Sequence, residues 1–404
     1  MTPLAITGGR LIDQPGDLLI AGDTISTTGR FELPADAQRI DARGLAILPG
    51  LIDLGVQFTE VAASAKGGIV RVAPLPTDVA PLDTPGAVQR AALAAKPQLW
   101  VHPLAAATKR LEGHELAEYA LMRAAGARAV ATGQRWIADS GVMRRVLLYA
   151  AGLGLTIISA AEDGGLTSGA VATAGETATR LGLPAAPAIA EAAAVARDLL
   201  LVGETGARLH FLHLTTARAF DLVRDAKRRG LPVTCGIAPT HLLLNDQAVS
   251  DYRTFARLQP PLRDERDRLA ALAALTDGTI DVLCSGHDPR GPEAKRLPFA
   301  DAEPGASGAE LLLTLGLGLV RDGTITLPRL VELTSRNPAR LLGLELGRLE
   351  PGSPADLCLV AADRPWIIDG AQFASVAGNT PFQGLPVQGQ VVRTLKGGRT
   401  IFAA

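Results

Sequence analysis

The sequence predicts an α/β fold: a (β/α)8 barrel with a small composite β-sandwich assembled from both ends of the chain. Three observations predict it. Short apolar, β-branched runs recur eight times between residues 51 and 289. Segments with the period of amphipathic helices separate most of them. The first 48 and the last 60 residues differ in texture, with brief strand-like runs punctuated by Gly, Asp and Pro.

The elements follow in order. "LAITGGRLID", "DLLIAGDTIS" and "QRIDARGLAILPG" read as a small antiparallel unit at the N-terminus, and "ADLCLVAAD" and "VVRTLKGGRTIFAA" have the same character at the C-terminus. Residues 1–49 and 344–404 are therefore expected to form the sandwich, and residues 50–343 the barrel. The eight barrel runs are "LIDLGVQF" (51–58), "GIVRVAPL" (68–75), "LWVHPLAAA" (99–107), "ARAVAT" (127–132), "TIISAAE" (156–162), "RLHFLHLTT" (208–216), "PVTCGIAP" (232–239) and "DVLCSGHDP" (281–289). Between them "HELAEYALMRAAGA", "GVMRRVLLYAAGLG", "TARAFDLVRDAKRRG" and "ERDRLAALAALTDG" predict helices. In such a barrel the chemistry sits at the C-terminal ends of the strands.

Composition excludes several classes. A net charge of -1 gives no global attraction for nucleic acid or an anionic membrane. Aromatic residues, at 4%, are too few for a base-stacking surface. Cys235, Cys284 and Cys358 lie far apart without a CxxC pair, as expected of buried free thiols in a reducing compartment. The N-terminus lacks the charged and apolar regions of a signal peptide, and the apolar stretch near Ala309–Val320 is too short for a span. A cytoplasmic protein is expected.

The strand ends pose a puzzle. "GLIDLGVQFTE" frames a place for metal ligands and offers Gly55 and Gln57. Together with "PLAAATKRLEGHELAEYALMRAAGA", "GETATRLGLP", "LHLTTARAFDLVRDAKRRGLPVTCGIAPTHLLL", "TSRNPARLLGL", "LEPGSPADL" and "NTPFQG", it resembles the dihydroorotases and related cyclic-amide hydrolases of the amidohydrolase superfamily, over nearly the whole chain. The resemblance implies a zinc centre that polarises an amide carbonyl and acidifies a water, with an aspartate moving protons. Carried over by position, the two first-strand histidines fall on Gly55 and Gln57. The paired aspartates after the fourth strand fall on Thr132 and Gly133, and a fifth-strand histidine on Ala160. The sixth-strand histidine is retained as His213, and the eighth-strand aspartate falls on Gly286. The arginine that would grip a substrate carboxylate falls on Thr59, and an asparagine on Val79.

Glycine and alanine carry no donor, and Gln57 offers only a neutral amide oxygen, a poor zinc ligand. No catalytic residue and no bound metal are therefore expected. One alternative is a relocated zinc site drawn from His213, His241, His287 and Asp288. The other, which is the default, leaves these as internally hydrogen-bonded barrel residues and a turn-forming aspartate. Glu162 and Asp163 read as structural. His102 and His210 read as buried, His114 as exposed, and Cys284 as a small buried hydrophobe. The resemblance implies an inactive dihydroorotase-like protein of pyrimidine biosynthesis, an assembly partner of the aspartate carbamoyltransferase catalytic chain and itself an oligomer. An active cyclic-amide hydrolase with an atypical site is the alternative, and a small-molecule sensor is a third possibility.

Overall fold

The computed structural model describes residues 2–404. Eight parallel strands form the barrel wall: β1 (Leu51–Val56), β2 (Ile69–Pro74), β3 (Trp100–Val101, resumed as Leu104–Ala106), β4 (Ala129–Ala131), β5 (Ile157–Ser159), β6 (Leu209–Phe211), β7 (Val233–Ile237) and β8 (Val282–Leu283). β1 and β2 are buried at every position, as strands covered on both faces must be. Ile52, Leu54, Leu104, Ile158, Leu212 and Val282 fill the barrel interior.

β3 is split at His102-Pro103. Its first part pairs with β2 and its second with β4, because proline cannot donate to the ladder. At the β1–β8 seam, the Asp53 carboxylate accepts bonds from Ser285 N (2.8 Å) and Ser285 Oγ (2.5 Å). Burial pushes this carboxyl above the ordinary range, against the pull of Ser285.

Helices Ser140–Gly152, Ile189–Thr205, Ala217–Arg228 and Glu265–Thr276 pack outside the wall. Ala217–Arg228 buries Ala219, Phe220, Val223 and Ala226, positions spaced to fall on one face. One predicted helix starts late: "HELAEYALMRAAGA" becomes helical only at Tyr119. Ahead of it, Gly113 N donates to Thr108 Oγ1 and Thr108 bridges to Leu116, and these local bonds hold residues 108–116 out of the helix.

The terminal segments make two sheets. One has the order Thr24–Gly29, Asp17–Ala21, Leu4–Thr7, Gln38–Asp41. The other runs Arg399–Ala403, Pro386–Lys396, Leu357–Ile367, Ala46–Pro49, Arg10–Leu11, Gln14–Pro15. Ile6, Leu18, Ile20, Ile47, Leu357 and Leu395 form the core between them. The sheets are mixed, not purely antiparallel as the sequence suggested. Leu4–Thr7 runs parallel to Gln38–Asp41, and Arg10–Leu11 parallel to Ala46–Pro49. Of the three changes of sheet in the N-terminal segment, the two that run side by side each use a left-handed glycine, Gly8 (φ +78°) and Gly44 (φ +76°). A buried Arg71–Asp356 ion pair at 2.5 Å ties β2 to this unit.

Between Ile367 and Pro386 the chain crosses the C-terminal end of the barrel. Glu310 Oε1 accepts from Ala374 N and Ser375 N, and Glu60 Oε1 from Val376 N. No described helix is long and apolar enough to cross a membrane.

Candidate functional site at the barrel mouth

The strand ends enclose a cavity of about 80 Å³. Gly55, Gln57, Gly133, Ala160, His213 and Gly286 all line it, so the topology does gather the positions that the resemblance singled out. Thr59 and Val79 are not among the lining residues, and Val79 is 97% exposed on a loop. Thr132 is buried, and its Oγ1 accepts a bond from Ala160 N at 3.1 Å. These two positions now serve each other.

The glycines are built in, beyond being small. Gly55 (φ +82°), Gly133 (φ +73°) and Gly286 (φ +62°) are all left-handed, a conformation that L side chains rarely adopt. A Cβ at Gly55 would lie 2.5 Å from Leu212 Cδ1, so the leucine occupies the space of the missing side chain. At Gly133 a Cβ would stand 3.1 Å from both Leu111 Cδ1 and Pro76 O, and at Gly286 3.1 Å from Ala238 Cβ.

The histidines at the mouth are already engaged. His213 Nε2 meets Cys284 Sγ at 3.0 Å, and burial lowers its pKa to about 4. Burial also pushes the Cys284 thiol far up, so the pair is a neutral imidazole and a neutral thiol. His241 Nε2 donates to Pro260 O at 2.9 Å, and burial brings its pKa down to about 3. His287 Nδ1 accepts from Gly308 N (3.2 Å) and Ala309 N (3.3 Å), which leaves Nε2–H to donate to Glu60 Oε2 at 3.1 Å. Ser285 Oγ donates to Asp53, so Ser285 and His287 form no nucleophile–base pair.

Asp288 Oδ2 takes a bond from Arg290 at 2.8 Å, and Glu162 is gripped by Arg263 at 2.6 Å and Gln259 at 2.5 Å. Burial raises both carboxyls, against the opposing pull of these arginines. Asp163 caps the short helix Gly164–Thr167. His102 and His210 are buried beside Arg71 and Thr234, and His114 is exposed. All three cysteines are free and buried.

Among the described residues, no group of three or more His, Cys, Asp or Glu is arranged to hold a metal ion. The donors present do not fit the zinc centre that the fold implies: left-handed glycines and a leucine stand where its ligands would project. His213, His241, His287 and Asp288 share one cavity without converging as ligands.

Three features escaped sequence reading. Leu212 as the filler at Gly55 carries no sequence signal. The His213–Cys284 contact joins residues 71 apart in the chain. Asp53 did leave a clue, an acid inside an otherwise apolar strand.

A family model described as "Dihydro-orotase-like" matches residues 44–219. A dihydroorotase of Desulforapulum autotrophicum is 38% identical over 97% of this chain and 96% of its own length. A dihydroorotase of Geobacter metallireducens is 37% identical, with 99% of each covered. A dihydroorotase-like protein of Pseudomonas aeruginosa is 38% identical, with 98% of each covered. The L-hydantoinase (dihydropyrimidinase) structure from Arthrobacter aurescens superposes with a TM-score of 0.86 at 25% identity, over 100% of this chain and 96% of that one. The dihydropyrimidinase structure from Brevibacillus agri gives 0.85 at 22% identity, over 100% and 95%, a likeness of fold.

Proposed function

The chain belongs to the dihydroorotase-like family, and from that premise we propose that it is a non-catalytic member of pyrimidine biosynthesis whose barrel is retained for assembly. The observation that carries this reading is the backbone at the strand ends. Hydrolysis of a cyclic amide on this fold calls for ligands and a proton-moving carboxylate at positions 55, 57, 133, 160 and 286. Three of these are left-handed glycines, one of them filled by Leu212. The test is metal content by elemental mass spectrometry after loading with zinc and dialysis, paired with an assay of dihydroorotate against carbamoyl aspartate. We expect neither retained stoichiometric zinc nor turnover. Metal-dependent turnover would end this reading.

The partner proposed is the aspartate carbamoyltransferase catalytic chain, as the resemblance implies, with this chain itself oligomeric. Mixing the two and measuring mass by light scattering after size exclusion addresses both. Co-elution at a fixed ratio supports the pairing. Separate elution removes it and leaves the non-catalytic reading intact.

A second reading keeps an active cyclic-amide hydrolase with an atypical metal site. It is favoured by relatives called dihydroorotase that match this chain over nearly their whole length. Under that reading one metal is retained and is lost in His213→Ala.

A further inference from the structure

At the end of the barrel away from the mouth, where β3 begins at Trp100, lies a second concavity. It is an open groove of about 610 Å³ between the barrel wall and the hairpin of Pro386–Lys396 and Arg399–Ala403. Gln98, Trp100, Lys396, Arg399 and Asp23 are among its lining residues. Gly397 and Gly398 make the hairpin turn, so Lys396 and Arg399 are cross-strand partners. Like charges placed directly opposite one another destabilise a sheet. A third cation, the exposed Lys96, adjoins the lining residue Pro97.

The fold does not offset this crowding. Among the described residues no carboxylate forms an ion pair with Lys96, Lys396 or Arg399. Asp356, whose charge does reach Lys396, is already held by Arg71 at 2.5 Å and by Gly397 N at 2.8 Å. Asp23 is the one acid in the described lining. Burial, joined by the positive charges of Arg71, Lys96 and Arg399, keeps the Lys396 pKa below that of a free lysine, against the pull of Asp356. The ammonium is also fixed in advance. It sits 3.9 Å from the centre of the Trp100 ring and donates to Pro97 O. An ammonium has three N–H donors, so this bond leaves others for a ligand. Arg399 is exposed, and its planar fork matches two oxygens of an oxyanion. A monovalent carboxylate would neutralise one of the facing cations, and a divalent oxyanion both.

We propose that this groove binds a small multivalent oxyanion of the phosphate class, held between Lys396 and Arg399 with Lys96 beside them. The site is remote from the barrel mouth and stands whether or not the mouth turns anything over.

Calorimetry and thermal shift on the full chain at constant ionic strength test it. The probes are pyrophosphate, ADP as a second source of the same diphosphate, and acetate as the monovalent contrast. Pyrophosphate should raise the melting temperature and bind at least about tenfold more tightly than acetate. Tighter binding of ADP would support the site with a nucleotide as the source, and equal or weaker binding would support it with the free anion. Arg399→Gln should weaken pyrophosphate by about tenfold or more. Without the anion the same variant should melt higher than the unsubstituted protein, because a repulsion has been removed. The two readouts thus move in opposite directions, which a merely damaged fold would not produce. Asp23→Asn should tighten pyrophosphate. Arg228→Gln, which removes an exposed cation on an outer helix, should leave its affinity unchanged. No binding of pyrophosphate at millimolar concentration, or binding no tighter than that of acetate, would overturn the proposal. So would a loss of affinity as large in Arg228→Gln as in Arg399→Gln.

Discussion

The barrel mouth and the polar collar just behind it were built by opposite rules. In the collar every acceptor is matched. The Glu191 carboxylate, 0% exposed, accepts from Thr215 N and Thr216 N at 2.8–3.0 Å and from both threonine hydroxyls at 2.7 Å. Arg263 bonds to Thr215 Oγ1, Thr173 Oγ1 and Glu162. At the mouth, glycines replace donors and Asp288 Oδ1 has none. A fully satisfied collar beneath a mouth without convergent ligands accords with the proposed reading, in which the barrel is kept for assembly.

The largest expected effect comes from breaking the collar. Glu191→Ala leaves four donors without their carboxylate and takes from Arg263 a second acid 3.6 Å away, a loss of about 3–5 kcal/mol. The soluble yield or the urea midpoint should fall sharply. A change within error would mean that water or a neighbour replaces the carboxylate, and the contrast with the mouth would weaken.

Next comes an attempt to rebuild the mouth. Gly55→His places a Cβ in left-handed backbone 2.5 Å from Leu212 Cδ1. It should cost about 3 kcal/mol, combining backbone strain with overpacking. Even with Gln57→His added, zinc should not raise the melting temperature. Zinc-dependent stabilisation of the double variant would show that the mouth is degenerate only in its side chains.

The third effect is pH-dependent and marks the border between the two regions. His241 has its pKa lowered from 6.5 to about 3 by burial. As pH falls below 6.5 the unfolded chain takes up this proton before the folded one, so stability present above pH 6.5 is lost on acidification. Gln at this position retains an N–H for Pro260 O and does not titrate. Relative to His241→Gln, the unsubstituted protein should lose roughly 2 kcal/mol between pH 7 and pH 5. Parallel pH profiles for the two proteins would contradict a neutral, buried imidazole.

How far the sequence disclosed this molecule follows from the range of its signals. Barrel strands are apolar runs of local origin, so all eight are found in their expected order. The parallel pairings of the terminal unit depend on Gly8 and Gly44 moving the chain between sheets, which strand patterns do not encode. The cavity-lining positions Gly55, Gly133 and Gly286 are visible as glycines. Their left-handed backbone, and Leu212 filling the space at one of them, arise only when strands far apart in the chain pack together. Asp288 was readable as a turn residue, but its orphaned oxygen was not, because that depends on where Arg290 directs its guanidinium.

The smallest effect lies on the outer surface. Asp139 Oδ1 accepts from Val142 N at 2.8 Å and caps helix Ser140–Gly152. This bond holds its carboxyl below the ordinary range, so the contribution is present above the unfolded pKa and fades as pH falls through the folded one. Asp139→Ala should lower the urea midpoint only slightly at neutral pH, because water replaces an exposed cap at modest loss. Urea unfolding at pH 7 measures it beside Glu191→Ala, for the cap touches neither collar nor mouth. A fall as large as that of Glu191→Ala would show the outer helix and the collar unfolding as one tightly coupled unit. The contrast between a rigid collar and a tolerant surface would then have to be dropped.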